Sequence, residues 1–122
     1  MTRGGSPTVD LMVGDLSGRG AVSIQVKTSN WAARSRKKDG KNWWEWDVGR
    51  KALELRGDSI FYAFVDLRWD SSVTTGPEVY VVPSEVVANF VKPDWSRFMF
   101  WFYEEEQAKY HDRWDLIEQR LK

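Results

Sequence analysis

Alternating apolar and polar residues mark two neighbouring strands near the start of the chain. Residues 9–14 read VDLMVG and residues 21–27 read AVSIQVK. A period of two residues predicts strands that each have one apolar face. The intervening residues 15–20, DLSGRG, contain two glycines and predict a chain reversal. We therefore predict an antiparallel hairpin whose core-facing residues include Val22, Ile24 and Val26.

The predicted hairpin gathers polar side chains on one face. A reversal centred on residues 17 and 18 pairs residue 10 with 25, 12 with 23 and 14 with 21. Asp10 then stands opposite Gln25, with Cβ atoms about 5 Å apart. Lys27 lies two residues beyond Gln25 and projects from the same face of the strand. A carboxylate, an amide oxygen and an ammonium group are thus expected to converge.

This convergence of Asp10, Gln25 and Lys27 has two interpretations. Mg²⁺ prefers oxygen ligands, which the carboxylate and the amide supply. The lysine would position or deprotonate an attacking water, or neutralise charge on a phosphate. Together these are the components of metal-assisted phosphodiester hydrolysis. The alternative is a half-buried sheet with three polar residues facing solvent, and spacing alone favours that alternative.

The rest of the chain predicts one mixed α+β domain covering residues 1–122. Residues 59–69, SIFYAFVDLRW, are apolar on both faces and predict a central strand. Residues 78–82 predict its antiparallel partner, and residues 98–103 predict a further strand. Helices are predicted over residues 48–55, with Asp47 as N-cap, over residues 85–91, with Ser84 as N-cap, and from Glu104 onwards.

Composition narrows the class of protein. The chain has no cysteine, which excludes disulfides and thiolate metal sites and fits a cytoplasmic protein. No apolar run approaches the ~18 residues of a membrane-spanning helix, so no membrane partner is expected. The formal net charge is zero, which argues against general binding of polyanions.

The positive charge is concentrated in one segment. Residues 30–42, NWAARSRKKDGKN, show no apolar period and predict a mobile basic loop that follows the second strand. The loop is either a clamp on nucleic-acid phosphates or simply a solvated charged segment, and its position beside Lys27 favours the clamp. Ser29 is assigned a role in orienting the phosphate. The cations of the predicted clamp are Arg34, Arg36, Lys37, Lys38 and Lys41.

Eight tryptophans are unusual for 122 residues. Three of them occur in the run Trp43-Trp44-Glu45-Trp46. Large aromatic side chains usually fill a core, and this is the favoured interpretation. The alternative is a surface on which a base or sugar stacks, as in proteins that bind single-stranded nucleic acid.

The segment Pro7…Asp10…Gln25-Val26-Lys27-Thr28-Ser29 resembles the core motif of the PD-(D/E)XK nuclease superfamily. The resemblance covers residues 7–83, with Gln25 at a position where the family usually has Glu or Asp. It implies an αβββαβ, restriction-endonuclease-like mixed sheet flanked by helices, and a nuclease dependent on Mg²⁺ or Mn²⁺. By this resemblance Asp10, Gln25 and Lys27 are catalytic, and the first two hold the metal.

The resemblance also sets expectations for the N-terminus and the partners. The family's first helix precedes the first strand, where only residues 1–6 stand, so it is expected to be absent, truncated or replaced. A homo-oligomer or a larger assembly would complete the missing element. The expected substrate is nucleic acid, with DNA favoured over RNA. The alternative function is a catalytically degenerate module of the same fold that binds nucleic acid or a protein partner.

Overall fold

The computed structural model describes residues 9–14, 20–69 and 76–122. Within these residues the chain is a mixed α+β protein with two sheets and three α-helices. The strands are β1 (Val9–Gly14), β2 (Ala21–Ser29), β3 (Ala33–Arg36), β4 (Lys41–Asp47), β5 (Ile60–Asp66), β6 (Glu78–Pro83) and β7 (Met99–Tyr103). The helices are α1 (Ser84–Phe90), α2 (Gln107–Tyr110) and α3 (Asp115–Leu121). The larger sheet has the order β1-β2-β5-β6, and the smaller sheet has the order β3-β4-β7.

The predicted N-terminal hairpin is confirmed, including its register. β1 and β2 are antiparallel, and residue 10 pairs with 25, 12 with 23 and 14 with 21. The predicted reversal falls mostly on residues 15–19, which lie outside the described residues. Val22 and Ile24 are buried, and Val26 packs against the same apolar cluster. The alternation of residues along β2 therefore sets which side chains enter the core.

β5 is the central strand, as predicted from its two apolar faces. It runs parallel to β2 and antiparallel to β6. One face carries Phe61 and Ala63, which pack with Ile117 of α3. The other face carries Tyr62 and Phe64, which belong to the larger core between the two sheets. β5 is therefore covered on both faces.

Trp46 connects the two sheets. Its side chain is 1% exposed, and its Nε1 donates a hydrogen bond to the carbonyl oxygen of Val65 at 3.0 Å. Its ring lies 5.1 Å from that of Phe64 and 5.6 Å from that of Tyr80, between ring centroids. The core-filling interpretation is thus confirmed for Trp46, and Trp44 stacks on Phe102 beside it.

The prediction of a loop over residues 30–42 was wrong. Residues 33–36 form β3, which pairs with β4 through a turn at residues 37–40. β3 reads ARSR and is mostly exposed at the edge of its sheet. Its sequence therefore lacks the alternating apolar residues from which a strand is predicted. Backbone pairing with β4, rather than burial of side chains, makes it a strand.

Two helix predictions also need correction. Residues 48–55 contain only a short 3₁₀ helix, Arg50–Leu53. Gly49 has a φ of 76°, which a helix starting at residue 48 does not allow, and Asp47 accepts a hydrogen bond from the Gly49 N–H. The predicted N-cap Ser84 is instead the first residue of α1, and its hydroxyl donates to the Gly57 carbonyl at 2.9 Å.

Candidate functional site

The backbone of the β1–β2 hairpin brings together the positions of the predicted hydrolytic site. Residue 10 stands directly opposite Gln25, and directly paired residues share a face of the sheet. Lys27 follows Gln25 on that face of β2. The Asp10 side chain lies outside the described part of the structure, so the position of its carboxylate stays a prediction.

Gln25 and Lys27 do not lie on an open solvent-facing surface. Across the parallel pairing, Gln25 is opposite Tyr62 and Lys27 is opposite Phe64. Gln25 is half-buried, and Lys27 is only 9% exposed. A buried ammonium group loses much of its hydration, and neighbouring polar groups must compensate for that loss. The interpretation of three polar residues facing water therefore does not describe Lys27.

Asp66, a buried carboxylate at the end of β5, was not predicted from the sequence as a candidate residue. Asp66 is 1% exposed and pairs with Ser29 across the sheet. Its Oδ1 accepts hydrogen bonds from the N–H of Ala32 at 3.0 Å and of Arg68 at 3.1 Å. The signal was present in the sequence, because an acidic residue ends an otherwise apolar central strand. Its role in the structure is to fix two backbone segments.

One of these segments follows β2 and the other follows β5, and the ends of the two strands lie side by side. The carbonyl oxygen of Ser29 accepts a hydrogen bond from the Leu67 N–H, and that of Asn30 accepts one from the Trp69 N–H, both at 2.9 Å. Ser29 itself is half-buried. The chain that leaves β2 after Ser29 is therefore hydrogen-bonded to the chain that leaves β5. This tie sets where the β3–β4 hairpin begins.

The five predicted clamp residues lie together in the β3–β4 hairpin, in the smaller sheet. Arg34 donates to the Trp31 carbonyl at 2.6 Å, and its Nε lies 3.6 Å from a carboxylate oxygen of Glu45. Arg36 forms a two-nitrogen ion pair with Asp39, with a shortest distance of 2.6 Å. Both arginines are thus partly neutralised within the chain.

The Arg36–Asp39 pair stabilises the turn of the hairpin. Hydrogen bonds from Arg36 and from the Lys41 N–H lower the pKa of Asp39 to about 2. The same pair raises the pKa of Arg36. Within the described residues, Lys37 and Lys38 form no ion pair with a carboxylate. The tip of the hairpin therefore presents two exposed ammonium groups to solvent.

A metal at the predicted site would depend on Asp10 and Gln25. Both residues offer oxygen donors of the kind that Mg²⁺ and Mn²⁺ take, so the donor types fit the predicted ion. Among the residues that the structure describes, no group of three or more histidine, cysteine, aspartate or glutamate side chains is arranged to hold a metal.

A scan of family models, a search of curated proteins and a search of solved structures each found no match to this chain. In the described parts of the chain, no helix is both long enough and apolar enough to cross a membrane.

Proposed function

We propose that this chain is a metal-dependent nuclease of the restriction-endonuclease-like type, which hydrolyses phosphodiester bonds in nucleic acid at Asp10, Gln25 and Lys27. The observation that supports it most directly is the β1–β2 register, which sets residue 10 opposite Gln25 with Lys27 next on the same face. A parallel strand beside an antiparallel hairpin, with α3 packed on the sheet, fits the proposed architecture.

Each residue has a distinct role in this proposal. Asp10 and the Gln25 carbonyl would hold Mg²⁺ or Mn²⁺, which supplies Lewis acidity toward the phosphoryl oxygens. Lys27 is opposite Phe64 across the sheet and is only 9% exposed, which limits the positions of its side chain. A charge fixed in a weakly hydrated site stabilises the developing negative charge of the phosphate strongly. Ser29 would help to orient that phosphate through its hydroxyl.

The β3–β4 hairpin supplies the contacts to the rest of the substrate. It starts four residues after the end of β2, and the hydrogen bond from Ala32 to Asp66 fixes its base. Exposed lysines neutralise phosphates and add affinity that depends on salt. The two ammonium groups at the tip, on Lys37 and Lys38, are the strongest candidates for this role, because both arginines have partners within the chain.

Cleavage of labelled DNA and RNA in Mg²⁺ or Mn²⁺ tests the proposal. We expect cleavage by the wild type, suppression by EDTA, and loss of at least about 100-fold in the Asp10→Ala and Lys27→Met variants. Gln119→Ala changes an exposed residue of α3 and serves as the control. Circular dichroism verifies that each variant is folded. Absence of metal-dependent cleavage by the folded wild type, or unchanged activity in both variants, contradicts the proposal.

The second candidate function is a module of the same fold that binds nucleic acid without chemistry. Gln25 favours it, because a neutral amide opposite residue 10 leaves less negative charge for a metal than a carboxylate would. Calorimetric titration with Mn²⁺ separates the two functions. The nuclease predicts binding that is weakened in Asp10→Ala, whereas the non-catalytic module predicts the same heat for both proteins.

A further inference from the structure

The outer face of the smaller sheet carries a group of aromatic side chains that the hydrolytic site does not use. On this sheet, residues 44, 46, 100 and 102 point into the core between the sheets. The alternating residues therefore lie on the outer face, where Trp43 pairs with Tyr103 and Glu45 pairs with Trp101. All four of these side chains are only half-buried.

These side chains surround a shallow pocket of about 240 Å³, which Arg36 completes. This volume is below the ~300–1,000 Å³ of sites that enclose a drug-sized ligand, and suits a single flat ring system. We call this surface, formed by Arg36, Trp43, Glu45, Trp101 and Tyr103, the outer aromatic face.

The rings of the outer aromatic face are held in place by neighbouring groups. Trp101 stacks on Trp95 at 5.7 Å with an interplanar angle of 14°, and the ring of Phe90 meets it edge-on at 4.6 Å. The Nε1 of Trp43 donates to a carboxylate oxygen of Glu45 at 2.8 Å. Rings fixed in this way lose little conformational freedom when a ligand stacks on them.

Cations lie next to two of the rings of the outer aromatic face. Residues 33–47, which include β3 and β4, contain five lysines and arginines against three carboxylates, and three glutamates, residues 104–106, follow β7. The Glu45 carboxylate accepts the Trp43 hydrogen bond and lies 3.6 Å from the Nε of Arg34, so its charge is partly neutralised within the chain. Lys41 lies 5.1 Å from the centroid of the Tyr103 ring, and the guanidinium of Arg36 lies 5.8 Å from that of Trp43. Cations therefore border the aromatic rings on the side of β3 and the turn.

We infer that the outer aromatic face binds single-stranded nucleic acid, with one or more unpaired bases stacked on its rings and the backbone phosphates along the basic hairpin. The flat bases of such a strand match the aromatic rings of the face, and its anionic backbone matches the neighbouring lysines and arginines. Bases in a duplex have their ring faces covered by neighbouring base pairs and cannot stack on a protein ring without leaving the helix. This inference names the substrate class of the proposed nuclease and so rests on the proposed function.

Fluorescence anisotropy tests the inference with a short labelled oligothymidylate and a duplex of the same length, in EDTA so that hydrolysis does not interfere. We expect the wild type to bind the single strand about tenfold or more tightly than the duplex. Tyr103→Leu should weaken single-strand binding by at least about fivefold, whereas Tyr103→Phe, which keeps the ring, should bind nearly as the wild type does. Trp101→Leu should weaken it similarly.

Trp114→Leu is the matched control, because Trp114 is an exposed tryptophan at the start of α3, outside the smaller sheet. Thermal melting shows whether Trp101→Leu remains folded, and the pair of Tyr103 variants decides the question if it does not. Equal affinity for single strand and duplex, or equal binding by Tyr103→Leu and Tyr103→Phe, overturns the inference.

The two proposals fail in different ways. If Tyr103→Leu changes neither cleavage nor binding, the proposal of base stacking on the outer aromatic face is wrong and the proposal of a nuclease is unaffected. Ring-dependent binding of the single strand by a wild type that does not cleave overturns the nuclease and supports the stacking face.

Discussion

Asp66 accepts a hydrogen bond on its Oδ1 from the backbone N–H of Ala32 at 3.0 Å, across 34 positions of the chain. The bond joins the end of the central strand of the larger sheet to the residue that precedes the smaller sheet. The same oxygen accepts a bond from Arg68, a non-glycine residue with a φ of 53°. One buried carboxylate thus fixes both the start of the β3–β4 hairpin and the residues that follow β5.

Removing this carboxylate should destabilise the whole fold. Asp66→Ala leaves two backbone N–H groups without their acceptor, and we expect a loss of about 3 kcal/mol in the free energy of unfolding. Asp66→Asn keeps an oxygen acceptor and should cost about 1 kcal/mol. Urea denaturation measures both. Asp58→Ala is the control, since its side chain is 83% exposed and should change stability little. Equal effects of all three variants would contradict this role.

Trp46→Phe tests the connection between the sheets. The substitution removes the hydrogen bond to the Val65 carbonyl and leaves a void beside Phe64 and Tyr80. We expect a loss of about 2 kcal/mol in the free energy of unfolding, read from chemical denaturation. Trp114→Phe, at an exposed position, should leave stability nearly unchanged. A stable Trp46→Phe protein would show that the two sheets do not depend on this contact.

Gln25→Glu should strengthen the binding of a divalent cation at the proposed metal site. An added carboxylate opposite residue 10 increases the attraction for a divalent cation, and we expect Mn²⁺ affinity to rise at least about tenfold. Calorimetry measures the change. Gln119→Glu adds the same charge on α3 and controls for nonspecific attraction. If both variants bind Mn²⁺ equally, the metal does not lie at residue 25.

Stability at alkaline pH should depend on Tyr62. Burial raises the pKa of Tyr62 from 10.0 to about 12, so its phenol stays neutral in the folded chain when the unfolded chain already ionises. The neutral form therefore contributes stability that is complete below pH 10 and is lost as the pH rises toward 12. Denaturant midpoints measured across this range should fall less steeply in Tyr62→Phe. Identical profiles for the two proteins would contradict the prediction.

The turn of the basic hairpin should respond to acid. The pKa of Asp39 is lowered from 3.8 to about 2 by Arg36, so its contribution is present above pH 3.8 and is lost as the pH falls through about 2. Carbon-13 chemical shifts of the carboxyl group report this titration directly. In Arg36→Gln we expect the pKa of Asp39 to return most of the way to its ordinary value. An unshifted Asp39 titration in Arg36→Gln would show that another group lowers it.

The sequence predicted those parts of the fold that local patterns encode. The β1–β2 register followed from two alternating strands around a glycine-containing reversal, and β5 followed from its two apolar faces. β3 has no such pattern, because an exposed edge strand is defined by its partner's backbone. The pairing of β4 with β7 joins residues more than 50 positions apart, which no local period reveals.

In the candidate site, too, some features could be predicted from the sequence and others could not. The positions of Asp10, Gln25 and Lys27 along one face could be predicted because strand alternation fixes them. The burial of Lys27 could not, because it depends on the neighbouring strand carrying Phe64. The anchoring role of Asp66 was also missed, since the acceptor and its Ala32 donor are distant in the chain.

The pairing of β4 with β7 means that the β3–β4 hairpin would not keep its structure as an isolated peptide. A fragment cut out at residues 30–47 would lack Trp101 and Tyr103 and would expose the inward rings of Trp44 and Trp46 to water. Transplanting the surface onto another scaffold would require β7 and the underlying aromatic layer as well.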